Sequence, residues 1–215
     1  MEEILNKYSL LKDRNVPRET LLEFESFVDM LIRKNDQINI ISKETAKNDV
    51  IRNRHILDSA QIIDFIDFNS KNIIDIGSGG GMPGIIVSIM IKNMERNLKV
   101  ILYEKSHHKC AFLKKASKDL KLNTVVIKKN IFEEENLDTG TIMTRAFKPL
   151  PIVLDLVFKN FKNYKNLIIF MGKSGEKVLE ETLNSWEFDF EKKQSITNED
   201  SFLLNIKNIK KKIKN

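Results

Sequence analysis

Hydrophobic residues recur at spacings of three and four over the first part of the chain, which is the period of an amphipathic helix. Leu21, Phe24 and Leu31 follow this period after Pro17, and proline suits the first turn of a helix. The pattern up to residue 70 predicts helices only, so we expect residues 1–70 to form a helical extension. The predicted segments are a turn or two within residues 3–12, a helix over residues 17–34 and a second helix over about residues 45–65.

From residue 72 the pattern changes to short β-branched runs that alternate with helical segments. This alternation is typical of an α/β fold, in which helices cover both faces of a parallel sheet. Near the C-terminus two further runs are joined by turn-forming residues, so we predict five parallel strands followed by an antiparallel hairpin. The predicted strands are 72–76, 100–104, 124–128, 141–144 and 167–171, with the hairpin at 188–194 and 202–209 and helices at 83–94, 107–120, 150–161 and 175–184.

Composition narrows the class of protein. With 215 residues, 41% of them hydrophobic, the chain suits one domain with a helical extension. We place the domain at residues 71–209. One cysteine and three histidines exclude a disulfide framework and a zinc cluster. The longest uncharged apolar stretch, 84–91, is far shorter than the roughly 20 residues that cross a bilayer. Glu2 and Glu3 stand where a signal peptide would be basic, so we expect a cytoplasmic protein. We also expect a monomer with no metal and no membrane partner.

The net charge of +6 comes mostly from the C-terminus. Five lysines between residues 207 and 214 supply most of it and leave about +1 for the rest of the chain. We expect residues 210–215 to form a basic tail that could contact RNA phosphates. Lysine, isoleucine and asparagine are all abundant, however, and A-rich codons would produce the same excess without any function.

A glycine-rich segment follows the first predicted strand. Asp75 precedes three alternating glycines, Gly77, Gly79 and Gly81, in a D-x-G-x-G-x-G pattern. A dinucleotide fingerprint would need a third glycine at residue 82, which is methionine, and no P-loop lysine follows the segment. Glycines at the carboxyl end of a first strand let the backbone approach a ligand closely. The pattern is typical of loops that bind S-adenosylmethionine (SAM).

The second strand tests this interpretation, because it should emerge beside the ribose of the same ligand. It ends in Glu104, 27 residues after Gly77. Both ribose hydroxyls can donate hydrogen bonds to such a carboxylate. We therefore predict that Glu104 binds the cofactor.

Two sequence elements on which other methyltransferases rely are absent, and this limits the possible methyl-acceptor atoms. Methylation of an exocyclic amine usually relies on an Asn/Asp-Pro-Pro-aromatic element after the fourth strand, where residues 144–147 read Thr-Arg-Ala-Phe. Methylation of pyrimidine carbon 5 needs a cysteine, and the single Cys110 lies within a helical pattern. An acceptor with a free lone pair, such as guanine N7, needs neither device but only correct orientation.

The sequence resembles the bacterial small-subunit ribosomal RNA guanine-N7 methyltransferases, the RsmG or glucose-inhibited division protein B (GidB) family. The resemblance spans about residues 25–175 and implies a class I SAM-dependent methyltransferase fold of Rossmann-like type. It also implies 16S rRNA or the small ribosomal subunit as substrate. The matching segments are Arg-His-Ile-Leu-Asp-Ser at 54–59, Ile-Asp-Ile-Gly-Ser-Gly-Gly-Gly-Met-Pro-Gly-Ile at 74–85, residues 104–113 and Thr-Arg-Ala-Phe at 144–147.

Three groups of site residues are expected. The glycine pattern and the resemblance together imply that the residues binding SAM are Asp75, Gly77, Gly79, Gly81, Met82, Glu104, Ile131, Phe132 and Arg145. The resemblance places Arg54, His55 and Asp58 toward the substrate, and Arg145 and Lys173 at the catalytic centre.

Alternatives remain open at this point. Arg54, His55 and Asp58 are three and four residues apart, so Asp58 could simply pair with Arg54 while His55 packs. The glycine loop and Glu104 would equally suit a methyltransferase acting on a small molecule or a protein. A non-catalytic ribosome-assembly factor that binds RNA and retains a SAM fold is a third hypothesis.

Overall fold

The structure, a computed structural model, describes residues 7–14, 16–42, 46 and 50–212. None of the helices within these ranges combines the length and apolarity needed to cross a membrane.

The predicted N-terminal helix is confirmed as α1, Arg18–Asn35, which begins directly after Pro17. Its buried face carries Phe24, Val28 and Leu31 at helical spacing. These side chains are fully buried against the rest of the core, so the amphipathic pattern correctly identified the packed side of the helix.

The second predicted helix is confirmed from residue 51 onward, whereas residues 45 and 47–49 lie outside the described ranges. It consists of a π-helical, an α-helical and a 3-10 part in succession, and we refer to residues 51–65 as the composite helix. The predicted early turn is seen as a short 3-10 helix, with residues 3–6 outside the described ranges. The bounds are Ser9–Arg14 for the early 3-10 helix, Ile51–Leu57 for the π-helical part, Asp58–Ala60 for the α-helical part and Gln61–Phe65 for the 3-10 part.

The described residues form a seven-stranded sheet with the order β3-β2-β1-β5-β7-β9-β8. β1, β2, β3, β5 and β7 are mutually parallel, and β9 lies antiparallel between β7 and β8, which confirms the predicted α/β fold. The strand bounds are Asn72–Ile76 (β1), Lys99–Tyr103 (β2), Thr124–Ile127 (β3), Leu137–Asp138 (β4), Thr141–Thr144 (β5), Phe161–Asn163 (β6), Asn166–Met171 (β7), Trp186–Gln194 (β8) and Phe202–Lys211 (β9).

Helices cover both faces of this sheet. The composite helix, α1, α2 and α3 share one hydrophobic cluster, and α4 and α5 share the other. The N-terminal helices thus pack into the same core as the sheet. The remaining helix bounds are Gly84–Asn93 (α2), His107–Asp119 (α3), Leu150–Asn160 (α4) and Gly175–Leu183 (α5).

Two short elements were not predicted. β4 and β6 pair with each other in parallel and form a small second sheet. They contain only two and three residues, too few for a period of two to be visible in the sequence.

The expected basic tail begins inside the sheet. β9 continues to Lys211, so residues 210 and 211 extend the last strand beyond its predicted end at residue 209. Lys211 pairs with Asp155 at 3.3 Å and lies over the Trp186 ring, and Lys212 donates a hydrogen bond to the Leu183 carbonyl. Because β9 runs antiparallel to β7, these lysines lie at the opposite end of the sheet from the glycine segment. Residues 213–215 lie outside the described ranges.

Candidate active site

The glycine segment forms a tight loop between β1 and α2. Gly77 and Gly79 have φ angles of +71° and +54°, in the left-handed region that residues with a β-carbon avoid. The amide groups of Gly77 and Ser78 both donate to the Tyr103 carbonyl at 3.0 Å, which ties the loop to the end of β2. The local sequence therefore directs the backbone across the carboxyl ends of the first two strands.

A cavity of about 480 Å³ opens above this loop. It lies over the carboxyl ends of β1, β2 and β5, where the strand order reverses, which is where doubly wound sheets bind ligands. The lining residues come from the loop, from the ends of β2, β3 and β5, and from the N-terminal region. They are Ile40, His55, Gly77, Ser78, Gly79, Gly80, Met82, Tyr103, Glu104, Lys105, Lys109, Lys129, Asn130, Ile131, Arg145, Ala146, Phe147 and Lys148.

A larger groove, of about 1100 Å³, lies at the other end of the sheet. Its lining includes Asn72, Gly140 and Lys165, and it contains none of the predicted site residues. Ligands of doubly wound sheets bind at the carboxyl ends of the strands, so the smaller cavity is the better candidate despite its size.

Glu104 enters the cavity directly after β2. Its carboxylate accepts hydrogen bonds from the Gly79 amide at 3.0 Å and from the Ser106 amide at 2.8 Å. These contacts hold the carboxylate beside the glycine loop. The structure thus brings together the two sequence features on which the cofactor prediction rested.

Replacing Glu104 with alanine is expected to weaken SAM binding by about 1.5–3 kcal/mol, because a charge-assisted hydrogen bond contributes that much. Titration calorimetry would measure this change in the free energy of binding. The control is Glu135→Ala, which removes an exposed acid that does not line the cavity. Loss of RNA affinity with unchanged SAM affinity in Glu104→Ala would instead place this carboxylate on the substrate side.

Arg145 follows β5 and extends toward the composite helix. One guanidinium nitrogen pairs with the Asp58 carboxylate at 2.9 Å and also donates to the Arg54 carbonyl. The guanidinium carbon lies 5.3 Å from the centre of the Phe170 ring. The other terminal nitrogen, Nη1, is buried and has no partner among the described residues, and burial lowers the pKa of the side chain. The Arg145 side chain as a whole lines the cavity, and an unsatisfied buried donor in such a side chain calls for a functional explanation.

His55, on the composite helix, lines the cavity. Its Nε2 atom is buried and has no partner in the described part of the chain. Burial lowers the pKa of His55 to about 4, with a further contribution from the nearby positive charges of Arg145 and Arg54. The imidazole is therefore neutral at physiological pH.

Asp75 does not line the cavity, contrary to the sequence prediction. It is completely buried beneath the loop, and one carboxylate oxygen accepts the Gly84 amide at 3.0 Å. Burial raises its pKa to about 7. Asp75 therefore anchors the first turn of α2 and shapes the loop from below.

Other predicted residues also lie outside the lining. Gly81 packs toward Phe27, where an added β-carbon would crowd the ring. Phe132 is 40% exposed and stacks on Phe147 with the ring centres 5.9 Å apart. Lys173 is exposed on the turn after β7. Arg54 contacts Arg145 only through its backbone carbonyl. Asp58 pairs with Arg145 instead of with Arg54.

Several residues that line the cavity were not predicted from the sequence. Phe147 packs over Gly77, and its place in the Thr-Arg-Ala-Phe segment was the available signal. Lys105 and Lys148 gave no signal, because lysine is abundant throughout the chain. Among the residues described, no group of three or more histidine, cysteine or acidic side chains could hold a metal ion.

Comparison with known proteins agrees with this geometry. A protein that is 73% identical over 99% of this chain and 100% of its own length is the ribosomal RNA small subunit methyltransferase G of Pelagibacter ubique. The protein of that name from Rickettsia felis is 35% identical over 91% of this chain and 97% of its own. Among solved structures, a SAM-dependent methyltransferase from Aquifex aeolicus superposes with a TM-score of 0.53 at 14% identity, covering 70% of this chain and 89% of that one.

That structural similarity confirms the fold class. The model of the GidB family, described as rRNA small subunit methyltransferase G, matches residues 20–204. This range includes the glycine loop, Glu104 and Arg145, and the family predicted from the sequence is confirmed. The chain belongs to the rRNA small subunit methyltransferase G family.

Proposed function

We propose that this protein transfers a methyl group from SAM to N7 of a guanine in small-subunit (16S) ribosomal RNA. Family membership supports rRNA as the substrate class. The observation that carries the choice of base is that a cavity-lining residue is an arginine, Arg145, whose Nη1 nitrogen is unpaired. Guanine presents O6, an acceptor that arginine donors commonly recognise, while N7 must remain free for methylation.

The residues present fit SAM as the methyl donor. A β-carbon on Gly79 would meet only the Gly77 carbonyl, at 3.7 Å, so the loop leaves a space that a ligand can fill. Gly77, Gly79 and Ile131 would hold the donor, with Glu104 as acceptor for its hydroxyl groups. When bound, SAM supplies an electrophilic methyl group on a sulfonium sulfur.

The protein's own task is then orientation. Guanine N7 carries a free lone pair, so no residue has to remove a proton before transfer. We propose that Arg145 donates to O6 and thereby turns N7 toward the methyl group, an effect of orientation that can contribute several kcal/mol. Asp58 holds the guanidinium in place through their ion pair. Neutral His55 adds no further positive charge beside a purine that becomes cationic on methylation.

Positive charge around the cavity favours RNA over a small molecule or a protein as acceptor. Lys105, Lys109 and Lys148 line the cavity without an ion pair among the described residues, whereas a fourth lining lysine, Lys129, pairs with Glu134 at 2.8 Å. In contrast, Lys210 and Lys211 at the opposite end lie 4.0 and 3.3 Å from acidic side chains. Uncompensated lysines are available to phosphates, which supply most of the affinity in nucleic-acid complexes.

We also propose that the protein acts as a cytoplasmic monomer, with residues 71–209 as the methyltransferase domain and the N-terminal helices as part of its site. The cavity is formed by one chain, and the N-terminal region contributes Ile40 and His55 to it.

The product of methylation tests the proposal. Incubation of 16S rRNA or small subunits with the protein and radiolabelled SAM is expected to label one guanine, and borohydride followed by aniline should cleave the RNA there. The cationic imidazole ring of 7-methylguanine makes that nucleotide susceptible to reduction and strand scission. Label in RNA that resists this treatment would point to another ring atom. Absence of label in both forms of RNA would favour a different acceptor or a non-catalytic role.

A further inference from the structure

We propose that the turn between β8 and β9 positions Arg145 for methyl transfer, acting through Asp58. The turn lies in the last quarter of the chain and lines no part of the cavity. This inference rests on the proposed role of Arg145 toward guanine. It assigns Ser195 and Thr197 as positioning residues, together with Gln61 of the composite helix.

Both carboxylate oxygens of Asp58 form contacts, one with Arg145 and the other with the turn and the composite helix. Its Oδ2 atom pairs with Arg145 at 2.9 Å. Its Oδ1 atom accepts three hydrogen bonds: from Gln61 Nε2 at 2.7 Å, from Ser195 Oγ at 3.0 Å and from Thr197 Oγ1 at 3.3 Å. One oxygen therefore faces the guanidinium while the other is surrounded by donors from two different elements.

Gln61 ties the turn to the composite helix. Its Oε1 atom accepts the Ile196 amide at 3.2 Å, so the side chain contacts the turn backbone as well as Asp58. Gln61 is fully buried, and Ser195 is only 8% exposed. Buried polar groups with satisfied hydrogen bonds have few alternative conformations, so this cluster holds the carboxylate in one orientation.

Two directional contacts hold the guanidinium of Arg145, the ion pair with Asp58 and the hydrogen bond to the Arg54 carbonyl. The Phe170 ring contacts the guanidinium without fixing its rotation, and the Arg54 carbonyl shares the same nitrogen as Asp58. Rotation of the Asp58 carboxylate would therefore remove one of the two contacts that hold this nitrogen, and the guanidinium could shift in the cavity lining. The turn prevents this rotation because its two hydroxyl groups occupy Oδ1.

Kinetic measurements separate positioning from a purely structural role. The double variant Ser195→Ala/Thr197→Val removes both hydroxyl groups and is expected to lower kcat about tenfold, with SAM affinity within about twofold of wild type. The control is Asn198→Ala, which removes the 2.8 Å contact to the Asp200 amide in the same turn but touches none of the cluster. It should retain activity within about twofold. Thr197→Ser, which keeps the hydroxyl group, should do the same.

A double-mutant cycle with Arg145→Lys tests the route of the effect. If the turn acts through Arg145, the double variant should cost no more than about twofold in that background, because the group it positions is already changed. The same tenfold loss in both backgrounds would overturn the proposal. An equal loss in Asn198→Ala would also overturn it, because the turn would then matter only as structure.

A readout without catalysis distinguishes failure of this inference from failure of the proposed function. The guanidinium ¹⁵N signal of Arg145, assigned by its loss in Arg145→Lys, should shift or broaden in the double variant but not in Asn198→Ala. An unchanged signal in the double variant would refute the positioning role even if the RNA is methylated as proposed. A shifted signal would support it even if the acceptor proves to be another atom.

Discussion

Replacing Gly79 with valine is expected to weaken SAM binding by more than about 100-fold, equivalent to about 2.7 kcal/mol. A β-carbon at this position would meet no protein atom closer than the Gly77 carbonyl at 3.7 Å, so the valine side chain would stand in the cavity itself. Equilibrium dialysis with labelled SAM measures the effect directly. Unchanged affinity would show that the donor does not lie against this loop.

The design must separate filling of the cavity from backbone strain. The φ angle of +54° at Gly79 disfavours any residue with a β-carbon, at a cost of about 1–2 kcal/mol. Gly79→Ala introduces a β-carbon at the same positive φ with less volume and without the added strain of β-branching, and it should bind SAM more tightly than the valine variant. Gly172→Val provides a second control, because a β-carbon there would meet nothing within 4 Å and the position lies outside the cavity lining.

Replacing Arg145 with lysine is expected to lower kcat by about 100-fold, because a misplaced reacting group can cost that much. Lysine keeps the charge that Asp58 requires, but it lacks the planar fork that pairs one nitrogen with Asp58 and leaves the second terminal nitrogen, Nη1, as a free donor. Alanine is a poorer test. It would leave the largely buried Asp58 without its ion-pair partner, so a loss of folding stability would be mixed with the loss of catalysis.

Steady-state kinetics on 16S rRNA, with the free energy of unfolding measured in parallel, checks this expectation. Arg96→Lys is the matched control, since Arg96 also lies over a phenylalanine ring, that of Phe68 at 5.7 Å, but does not line the cavity. A kcat for Arg145→Lys within about twofold of that control would return Arg145 to a structural role.

The local parts of the site could be predicted from the sequence. β1, the glycine loop and α2 are consecutive in the chain, and Gly77 and Gly79 adopt the positive φ angles that favour glycine. Glu104 follows the next strand, and parallel pairing of β1 with β2 places the two strand ends side by side. These features depend on residue type and short spacings, which a sequence displays directly.

Predictions that depended on side-chain direction were less successful. Asp75 shares the glycine motif, yet it is buried beneath the loop and bonds to the Gly84 amide. Phe132 lies one residue beyond the lining residue Ile131 and is exposed. Lys173 follows a strand end at the correct edge of the sheet but lies outside the cavity lining. A motif identifies a segment, whereas packing decides which of its side chains faces the ligand.

The sequence by itself determined the α/β alternation, the loop that suits SAM and the strand that carries Glu104. Only the tertiary structure decided that Asp58 pairs with Arg145 and that a hydroxyl 137 residues further along the chain, that of Ser195, holds the same carboxylate. The physical reason is that periodicity and propensity report on neighbours within a few residues. Contacts between distant segments depend instead on how the composite helix packs beside the β8–β9 turn, and only the folded core fixes that arrangement.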